Sequence, residues 1–479
     1  MKLLQLLAIS AAVLFWIGWS KPASAETTQP NIVFILADDL AWSDLGCYGH
    51  PWHRTPHIDQ LAHGGMRFTN AYASAPICSA SRASLLTGKT TASLGFEFVT
   101  KNAPGRQSID APTALVAPPL TLNLALDEQT IAERLTGLGY VTAFFGKWHL
   151  NQHHGRYLGW SPTHGPAQQG FQVAEEDFGA HPYSWGRKSP MALTEEGQFV
   201  EDSMVDRVCR YIRQPHERPF FVMASSFYVH TPVRTPLKWL TDKYDQKIPA
   251  DAKNRAHRIK YAAFLETLDH HVGQILESIE ASGQADETLV VFFSDNGGHP
   301  EYTANAPLRG SKWNLYEGGI RVPLIVRWPG HVRPGTESDV PTIGYDLPST
   351  FVHAAGGNIP DGEGHPISLN VANSAKDGDR DLIWHFPYYH PEKGYAKAKP
   401  HIGMDDFAVS KTKPHSVIRR GDFKLIWFAE DDRVELYDLA HDLSEQSDLS
   451  AAEPKKSAAM KQALLRYLQD HHARMATPR

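Results

Sequence analysis

The chain has 479 residues, of which 42% are hydrophobic and 10% aromatic, so it can bury a large core and is not a disordered or coiled-coil protein. Its formal net charge of −6 disfavours a general nucleic-acid-binding role. Its cysteines, at positions 47, 78 and 209, match no metal-finger or disulfide framework. A Cys47–Cys209 disulfide and two separately buried thiols are both compatible with the sequence.

The N-terminus has the pattern of a secretory signal. Lys2 precedes an apolar run from residue 3 to about 17, and Ala23-Ser24-Ala25 forms an A-x-A cleavage motif before Glu26. A membrane-spanning helix needs roughly 20 apolar residues, so the run is short for that role, although an uncleaved N-terminal anchor is the alternative. We therefore expect a signal peptide at residues 1–25, no transmembrane segment, and export to the periplasm or the medium.

Short apolar runs rich in β-branched and aromatic residues then alternate with helical patterns. The runs at 31–37, 140–145, 220–225, 288–293 and 323–328 predict buried strands. Helices are expected after Thr55-Pro56, over 130–135 and over about 256–281. This alternation predicts an α/β domain with a mostly parallel central sheet flanked by helices.

The residue pattern changes after about residue 366. Runs at 382–386, 416–420, 424–428 and 435–439 predict short antiparallel strands, and 454–471 predicts a closing helix. We expect a large domain at residues 26–370 and a smaller α+β domain with an antiparallel sheet at 371–479. The glycine-, proline- and histidine-rich stretch at 153–183 is typical of a long surface insertion, the kind of loop that often lines a site.

Polar residues follow several of the predicted strands. In a doubly wound sheet, ligands bind beyond the carboxyl ends of the strands, so these residues should meet at one rim. The residues are Asp38 and Asp39, Lys147 and His149, His230, and Asp295 and Asn296.

The acidic part of this rim predicts a metal site. Asp38, Asp39, Asp295 and Asn296 offer hard oxygen ligands, which suit Ca²⁺ or Mg²⁺ and disfavour zinc. Each carboxylate taken singly could equally be a helix cap. Two acidic pairs on one rim favour the metal, which would offset their mutual repulsion.

The stretch from Cys78 to Gly88 sets a thiol beside Arg82 at a predicted helix start. The helix N-terminus and Arg82 should both favour negative charge at position 78, which suits a nucleophile or an anion-binding residue. A buried, inert cysteine is the alternative, because free cysteine is among the most buried residue types.

The string Cys78-Ser79-Ala80-Ser81-Arg82, continuing to Gly88, resembles the signature of the formylglycine-dependent, arylsulfatase-like sulfatase family. In that family the cysteine is converted after synthesis to formylglycine, an aldehyde. The family's usual form has proline at the Ala80 position, and alanine also occurs there. Further similar strings follow in the family's order: GKWHL at 146–150, SDNGG at 294–298, LRGSK at 308–312, YEGGIR at 316–321 and ELYDL at 435–439.

The resemblance implies an alkaline phosphatase-like fold and a sulfuric ester hydrolase acting on a sulfated carbohydrate or an aryl sulfate. It also implies a partner enzyme that generates the formylglycine. The divalent cation, usually calcium with magnesium as the alternative, would be bound by Asp38, Asp39, the formylglycine at Cys78, Asp295 and Asn296. The catalytic residues would be Cys78, Arg82, Lys147, His149, His230 and Lys312.

The same resemblance assigns roles to these catalytic residues. The formylglycine hydrate would attack sulfur, activated near Asp295 and held by Arg82. Lys147 and Lys312 would neutralise the sulfate oxygens. His230 would protonate the leaving oxygen, and His149 would help the second hydroxyl to expel sulfate.

Weaker candidates for substrate contact lie in the insertion, after the second acidic pair, and in the smaller domain. Aromatic-rich loops of ordinary structural purpose are the alternative interpretation, although aromatic faces do suit sugar rings. These candidates are His181, Tyr183, His299, Glu301 and His385.

Two other functions compete with sulfate ester hydrolysis. The first is a phosphatase or phosphodiesterase of the same superfamily, whose dinuclear zinc form would need extra Asp and His ligands at the rim. The second is a non-catalytic carbohydrate-binding relative in which Cys78 is never oxidised.

Overall fold

The computed structural model describes residues 29–186, 188–359, 364–369 and 380–479. The predicted signal peptide at 1–25 and the predicted domain boundary at 370/371 lie outside these residues. Both therefore remain predictions.

The described strands, in chain order, are β1 Asn31–Ala37, β2 Met66–Phe68, β3 Ala71–Tyr72, β4 Leu115–Val116, β5 Val141–Gly146, β6 Val173–Glu175, β7 Phe220–Ser225, β8 Thr288–Ser294, β9 Leu324–Arg327, β10 Thr336–Ser338, β11 Thr342–Ile343, β12 Asp381–Phe386, β13 His415–Arg420, β14 Phe423–Phe428, β15 Val434–Asp438 and β16 Thr477–Pro478. The described α-helices are α1 Pro56–His63, α2 Cys78–Thr87, α3 Thr91–Leu94, α4 Ile131–Gly137, α5 Ser203–Arg213, α6 Lys238–Lys247, α7 Arg255–Ala281, α8 Glu317–Ile320, α9 Leu347–Ala354 and α10 Pro454–Asp470.

Eight of the described strands form the main sheet in the order β10-β2-β9-β8-β1-β7-β5-β6. The run from β8 to β6 is parallel throughout, while β9 is antiparallel to both β8 and β2. The predicted strands are confirmed to within one or two residues at their ends. The parallel block places the carboxyl ends of β8, β1, β7 and β5 side by side.

Helices cover both faces of this sheet. Successive side chains of β1 point to opposite faces, which shows why all of them after Asn31 are apolar. Phe34 and its neighbours two residues away face a core shared with α2, α4 and α9. Val33 and Ile35 face the opposite core, shared with α1, α5 and α7. Because both faces are buried, a continuous apolar strand is required.

The helix starts follow their local chemistry. Pro56 occupies the first position of α1, as expected for a residue that lacks a backbone N–H. Thr130 and Glu133 form a capping box at the start of α4. Within the described part of the chain, no helix is long and apolar enough to cross a membrane.

The C-terminal residues form a second, antiparallel sheet in the order β12-β13-β14-β15. One face packs on α10 through Ile418 and Leu464, and the other packs on the main body through Trp384. The Trp384 indole N–H donates to the Ala73 carbonyl at 2.8 Å. The smaller sheet therefore packs next to the segment that precedes α2.

The structure adjusts one expectation and decides between two alternatives that the sequence left open. The stretch at 153–183 is not only a surface insertion, since it contains β6, which extends the main sheet at its edge by pairing with β5. The three cysteines all lie in the described residues and are free thiols, so Cys47 and Cys209 are not paired.

Candidate active site

The acidic pairs meet because β1 and β8 are parallel neighbours, with Ala37 opposite Ser294. Asp38 and Asp39 follow β1, and Asp295 and Asn296 follow β8. The Asp39 backbone N–H donates to Asp295 Oδ1 at 3.2 Å, and the Asn296 side-chain amide donates to Asp39 Oδ1 at 2.7 Å. All four side chains are fully buried.

Cys78 is the first residue of α2, and Arg82 lies one turn further along the same buried helix. Arg82 Nε donates to Asp295 Oδ2 at 2.8 Å, and Nη1 donates to the Lys147 carbonyl at 2.7 Å and to Ser225 Oγ at 2.6 Å. The guanidinium therefore connects the ends of β8, β5 and β7 to the start of α2.

Two lysines neutralise the two carboxylates after β1. Lys147 forms a buried ion pair with Asp38. Lys312 Nζ lies 2.8 Å from Asp39 Oδ2 and 3.3 Å from Cys78 Sγ. Burial would raise the pKa of Asp39, but Lys312, followed by His230 and Lys147, brings this pKa below its usual value.

Asp38 shows the opposite balance. Its pKa is raised to about 7, mainly by burial and then by the neighbouring charge of Asp295, although Lys147 opposes the shift. The ion pair with Lys147 therefore does not outweigh the cost of burying the Asp38 carboxylate next to Asp295.

Two histidines complete the rim. Burial, reinforced by nearby lysines, holds the pKa of His149 and of His230 well below the ordinary value. His230 Nε2 lies 3.6 Å from Asp39 Oδ2. Both imidazoles are therefore neutral in the absence of an added negative charge.

The thiol of Cys78 is also neutral. Burial raises its pKa to about 12 despite Lys147 and Lys312, which act in the opposite direction. Nearby cations do favour negative charge at position 78, but for the unmodified cysteine the desolvation cost of the thiolate outweighs their attraction.

Four buried polar atoms of the residues described above have no hydrogen-bond partner among the described residues. They are Asp38 Oδ1, Arg82 Nη2, His149 Nδ1 and Asn296 Oδ1. Ligand atoms of Asp38, Asp39, Cys78 and His230 lie within 4.8 Å of one another. Buried polar groups are normally satisfied, so unpartnered acceptors and donors side by side indicate a site for a cation and an anion. We call the set Asp38, Asp39, Cys78, Arg82, Lys147, His149, His230, Asp295, Asn296 and Lys312 the rim cluster.

Comparison with known proteins identifies the family. The sulfatase family profile matches residues 30–357. A sulfatase of Formosa agariphila is 30% identical over an alignment covering 91% of this chain and 88% of the relative. Human arylsulfatase A is 31% identical, covering 92% and 88% respectively.

The chain belongs to the sulfatase family.

As a sulfatase it is a sulfuric ester hydrolase. A second profile, that of the N-sulphoglucosamine sulphohydrolase C-terminal region, matches residues 311–473. The fold of this chain is similar to that in the crystal structure of Ps i-CgsB in complex with k-i-k-neocarrahexaose. The TM-score is 0.71 and the sequence identity 24%, and the match covers 93% of this chain and 94% of that one. The predicted α/β fold, of alkaline phosphatase type with a smaller antiparallel sheet, is confirmed.

The candidate substrate contacts of this sulfatase fall into two groups. His181 and Tyr183 lie against His230, and His299 lies beside the rim cluster with its ring 4.8 Å from that of Trp313. Burial lowers the pKa of His299 to about 4.

The other two candidates are placed differently. Glu301 is exposed, and its carbonyl accepts hydrogen bonds from Asn254 and from His257. His385 lies in β12, where its ring nitrogens contact Ser416 Oγ and the Arg474 carbonyl. The structure therefore does not bring Glu301 and His385 into the rim cluster.

Sequence reasoning missed Ser225 and His390. Ser225 is the last residue of β7, so the strand-end rule could have found it; it donates to the Lys147 carbonyl at 2.7 Å and holds Arg82. His390 stacks on Trp313 with ring centres 3.9 Å apart, next to Lys312. No local pattern marks His390, because it reaches the site from the smaller sheet.

Proposed function

We propose that this sulfatase hydrolyses sulfate monoesters with a formylglycine hydrate derived from Cys78 and with one divalent cation. The observation that carries the proposal is the convergence of Cys78, Lys312 and Asp39 beside four unpartnered buried polar atoms. The raised pKa of the Cys78 thiol supports modification, because an unmodified thiol would be protonated at neutral pH and a poor nucleophile.

The donor set fits a hard cation. Asp38, Asp39, Asp295 and Asn296 would hold it, together with the modified side chain at position 78, and their oxygens match Ca²⁺ with Mg²⁺ as the alternative. The unpartnered Asp38 Oδ1 and Asn296 Oδ1 supply free lone pairs. Burial and the neighbouring charge of Asp295 raise the pKa of Asp38, and a bound cation would offset both effects. The cation would supply positive charge beside the sulfate oxygens.

We propose the remaining roles from the family resemblance, and the placement of the residues supports them. As a formylglycine hydrate, position 78 would supply one hydroxyl to attack sulfur and a second whose deprotonation expels sulfate. Lys147 and Lys312 neutralise the sulfate oxygens, and Arg82 orients the side chain one turn before it on α2. His230 gives a proton to the leaving oxygen, and His149 accepts one from the second hydroxyl.

The substrate that we propose is a sulfated carbohydrate, with aryl sulfates as small surrogates. Similarity to a structure solved with an oligosaccharide and to an N-sulphoglucosamine sulphohydrolase profile supports the sugar, and similarity to arylsulfatase A supports the surrogate. We further propose that residues 1–25 direct export to the periplasm or the medium, that a maturation enzyme forms the aldehyde, and that residues 26–370 and 371–479 are the two domains.

The first test is the mass of the Cys78 peptide from protein made in its native host, together with aryl sulfatase assays of Cys78→Ala. We expect the formylglycine mass and a loss of activity of at least roughly a thousandfold in the variant. Cys209→Ala is the matched control, because Cys209 is another buried free thiol, located on α5. A thiol mass together with full activity of Cys78→Ala would contradict the proposed nucleophile.

The second test concerns the cation. Stripping with a chelator should abolish sulfatase activity, and adding Ca²⁺ or Mg²⁺ should restore it and raise the melting temperature by mass action. Full activity in stripped protein would overturn the metal assignment. Parallel assays with phosphate monoesters test the phosphatase alternative, which requires faster turnover of phosphate than of sulfate.

A further inference from the structure

The turn Pro182–Ser184 contacts His230 through the side chain of Tyr183. We propose that Tyr183 is a positioning residue for His230: its hydroxyl holds the imidazole so that Nε2 faces the reaction centre. This inference rests on the proposed role of His230 as the proton donor to the leaving oxygen.

Three short contacts join the two side chains to one backbone carbonyl. His230 Nδ1 lies 2.6 Å from the carbonyl oxygen of Thr231 and 3.0 Å from the Tyr183 hydroxyl. The Tyr183 hydroxyl in turn donates to the same Thr231 oxygen at 2.8 Å. The three groups form a closed triangle on the side of the ring away from the rim cluster.

The chemistry of the carbonyl decides where the protons are. A carbonyl oxygen only accepts, so the close Nδ1 must carry a proton that it donates to Thr231. The single Tyr183 proton is used on the same oxygen, which leaves the hydroxyl oxygen as an acceptor towards Nδ1–H. The neutral ring keeps its one proton at Nδ1, so Nε2, which lies 3.6 Å from Asp39 Oδ2, is the atom that takes a second proton from solvent and then gives it to the leaving oxygen.

The turn is itself anchored, so it can act as a fixed support. The His181 ring donates from Nε2 to the His230 carbonyl at 3.0 Å and accepts the Tyr183 backbone N–H at Nδ1. The Trp185 indole N–H donates to the Ala180 carbonyl at 2.9 Å. His181, which is buried, and Tyr183, which is half-buried, thus make these contacts with the His230 segment.

The consequence depends on the substrate. A proton donor matters most when the leaving oxygen is strongly basic, and little when the leaving group is an acidic phenol. If Tyr183 no longer orients His230, hydrolysis of substrates with poor leaving groups should therefore slow far more than hydrolysis of substrates with good ones. A residue that only stabilised the fold would slow all substrates alike.

The experiment compares Tyr183→Phe with Tyr157→Phe in the full chain on a series of aryl sulfates of graded phenol acidity. Phe at 183 keeps the ring packing against Phe178 and Phe227. The control, Tyr157→Phe, removes the hydroxyl of a neighbouring tyrosine whose ring centre is 5.5 Å from that of Tyr183. The described residues provide no hydrogen bond to the Tyr157 hydroxyl. Melting temperatures check that both variants are folded.

We expect Tyr183→Phe to lower kcat by about 10- to 100-fold for the most basic leaving group and by less than about threefold for the most acidic one. Tyr157→Phe should leave the dependence on leaving-group acidity unchanged. Added to His230→Ala, which should show the same selective loss, Tyr183→Phe should have almost no further effect.

A uniform loss across the series, or full additivity with His230→Ala, would overturn the inference. If His230→Ala itself shows no dependence on the leaving group, the proposed role of His230 fails rather than that of Tyr183. Retained activity in Cys78→Ala would instead reject the proposed nucleophile, so the three failures are distinguishable.

Discussion

Two clusters of buried charge lie in this sulfatase, and they are satisfied to different degrees. In the rim cluster, Asp38 Oδ1 and Arg82 Nη2 are among the atoms without a hydrogen-bond partner in the described structure. In the second cluster, Lys424 Nζ lies 2.8 Å from both Glu317 and Glu445. We call Glu317, Arg321, Lys424 and Glu445 the Lys424 cluster.

The Lys424 cluster is largely closed on itself. Glu317 Oε2 lies 3.1 Å from Arg321 and accepts from the Tyr72 hydroxyl at 2.8 Å. Glu445 Oε2 accepts the Glu317 backbone N–H at 2.6 Å. These contacts join α8, which follows the loop carrying Lys312, to β14 and to the chain after β15. The cluster therefore fastens the smaller sheet to the active-site loop.

A perturbed pKa does not distinguish the two clusters. Burial raises the pKa of Asp38 in one and of Glu445 in the other, each to about 7. What differs is the number of polar atoms left without a partner. Four such atoms lie together in the rim cluster, whereas the Lys424 cluster has Glu445 Oε1, which is ion-paired with Lys424 Nζ at 2.8 Å. The concentration of unpartnered atoms in one place, and not a shifted pKa, therefore separates the two clusters.

The largest expected difference between the clusters is in activity. Asp38→Asn removes a carboxylate from the rim cluster and should lower sulfatase activity by at least about a hundredfold, because it removes a ligand of the proposed cation, whose positive charge would lie beside the reacting sulfate. Metal-free stability should change by less than about 1 kcal/mol, since a carboxyl with a raised pKa loses little when it becomes neutral. Turnover assays and urea unfolding with a chelator measure both effects.

Asp206→Asn, at an exposed position on α5, is the control and should change neither quantity. Unfolding of Asp38→Asn would show that the rim cluster is structural, like its counterpart.

The next effect is on stability. Glu317→Gln leaves Arg321 and Lys424 short of a buried partner and should cost about 3 kcal/mol, the usual result of breaking one member of a buried ion pair. The pKa of Glu317 is lowered to about 2, with Lys424 and then Arg321 overcoming burial, so the loss should be present throughout the neutral range. Urea unfolding at pH 7 measures it.

Activity of folded Glu317→Gln should remain within about threefold of the wild type, because Glu317 does not contact the rim cluster in the described structure. Wild-type stability in this variant would mean that the Lys424 cluster does not hold the two sheets together.

The smallest effect depends on pH. The pKa of Glu445 is raised from 4.5 to about 7, mainly by burial, so the folded protein holds this proton more tightly than the unfolded chain. Its stabilising contribution is complete below pH 4.5 and is lost as the pH rises through about 7. Glu445→Gln cannot ionise, so its stability relative to the wild type should rise between pH 5 and 8 by about 1–3 kcal/mol.

Melting temperatures of the two proteins at both pH values measure this difference. Glu317→Gln is the matched comparison, since it should be destabilised at both. A Glu445→Gln variant that becomes less stable than the wild type at the higher pH would reverse the assignment of the raised pKa.

Much of the fold was predictable because it is encoded locally. Strands buried on both faces require continuous apolar runs, as in β1, β7 and β8, and these were found to within a residue. Thr130 with Glu133 and Pro56 are start signals that act over one helical turn. The short edge strand β6 was missed, because two half-buried residues and one exposed residue in a glycine-rich stretch carry no clear period.

The sequence by itself determined which polar residues end the strands, since parallel neighbours bring their carboxyl ends to one rim. It also determined the family, through strings whose order is preserved from Cys78 to Arg321. Only the tertiary structure decided how these groups interact. Burial makes the Cys78 thiol neutral, Tyr183 meets His230 across 47 residues of chain, and Lys424 meets Glu317 across 107. Desolvation and contacts between distant segments depend on the folded packing, and no local pattern of residues encodes them.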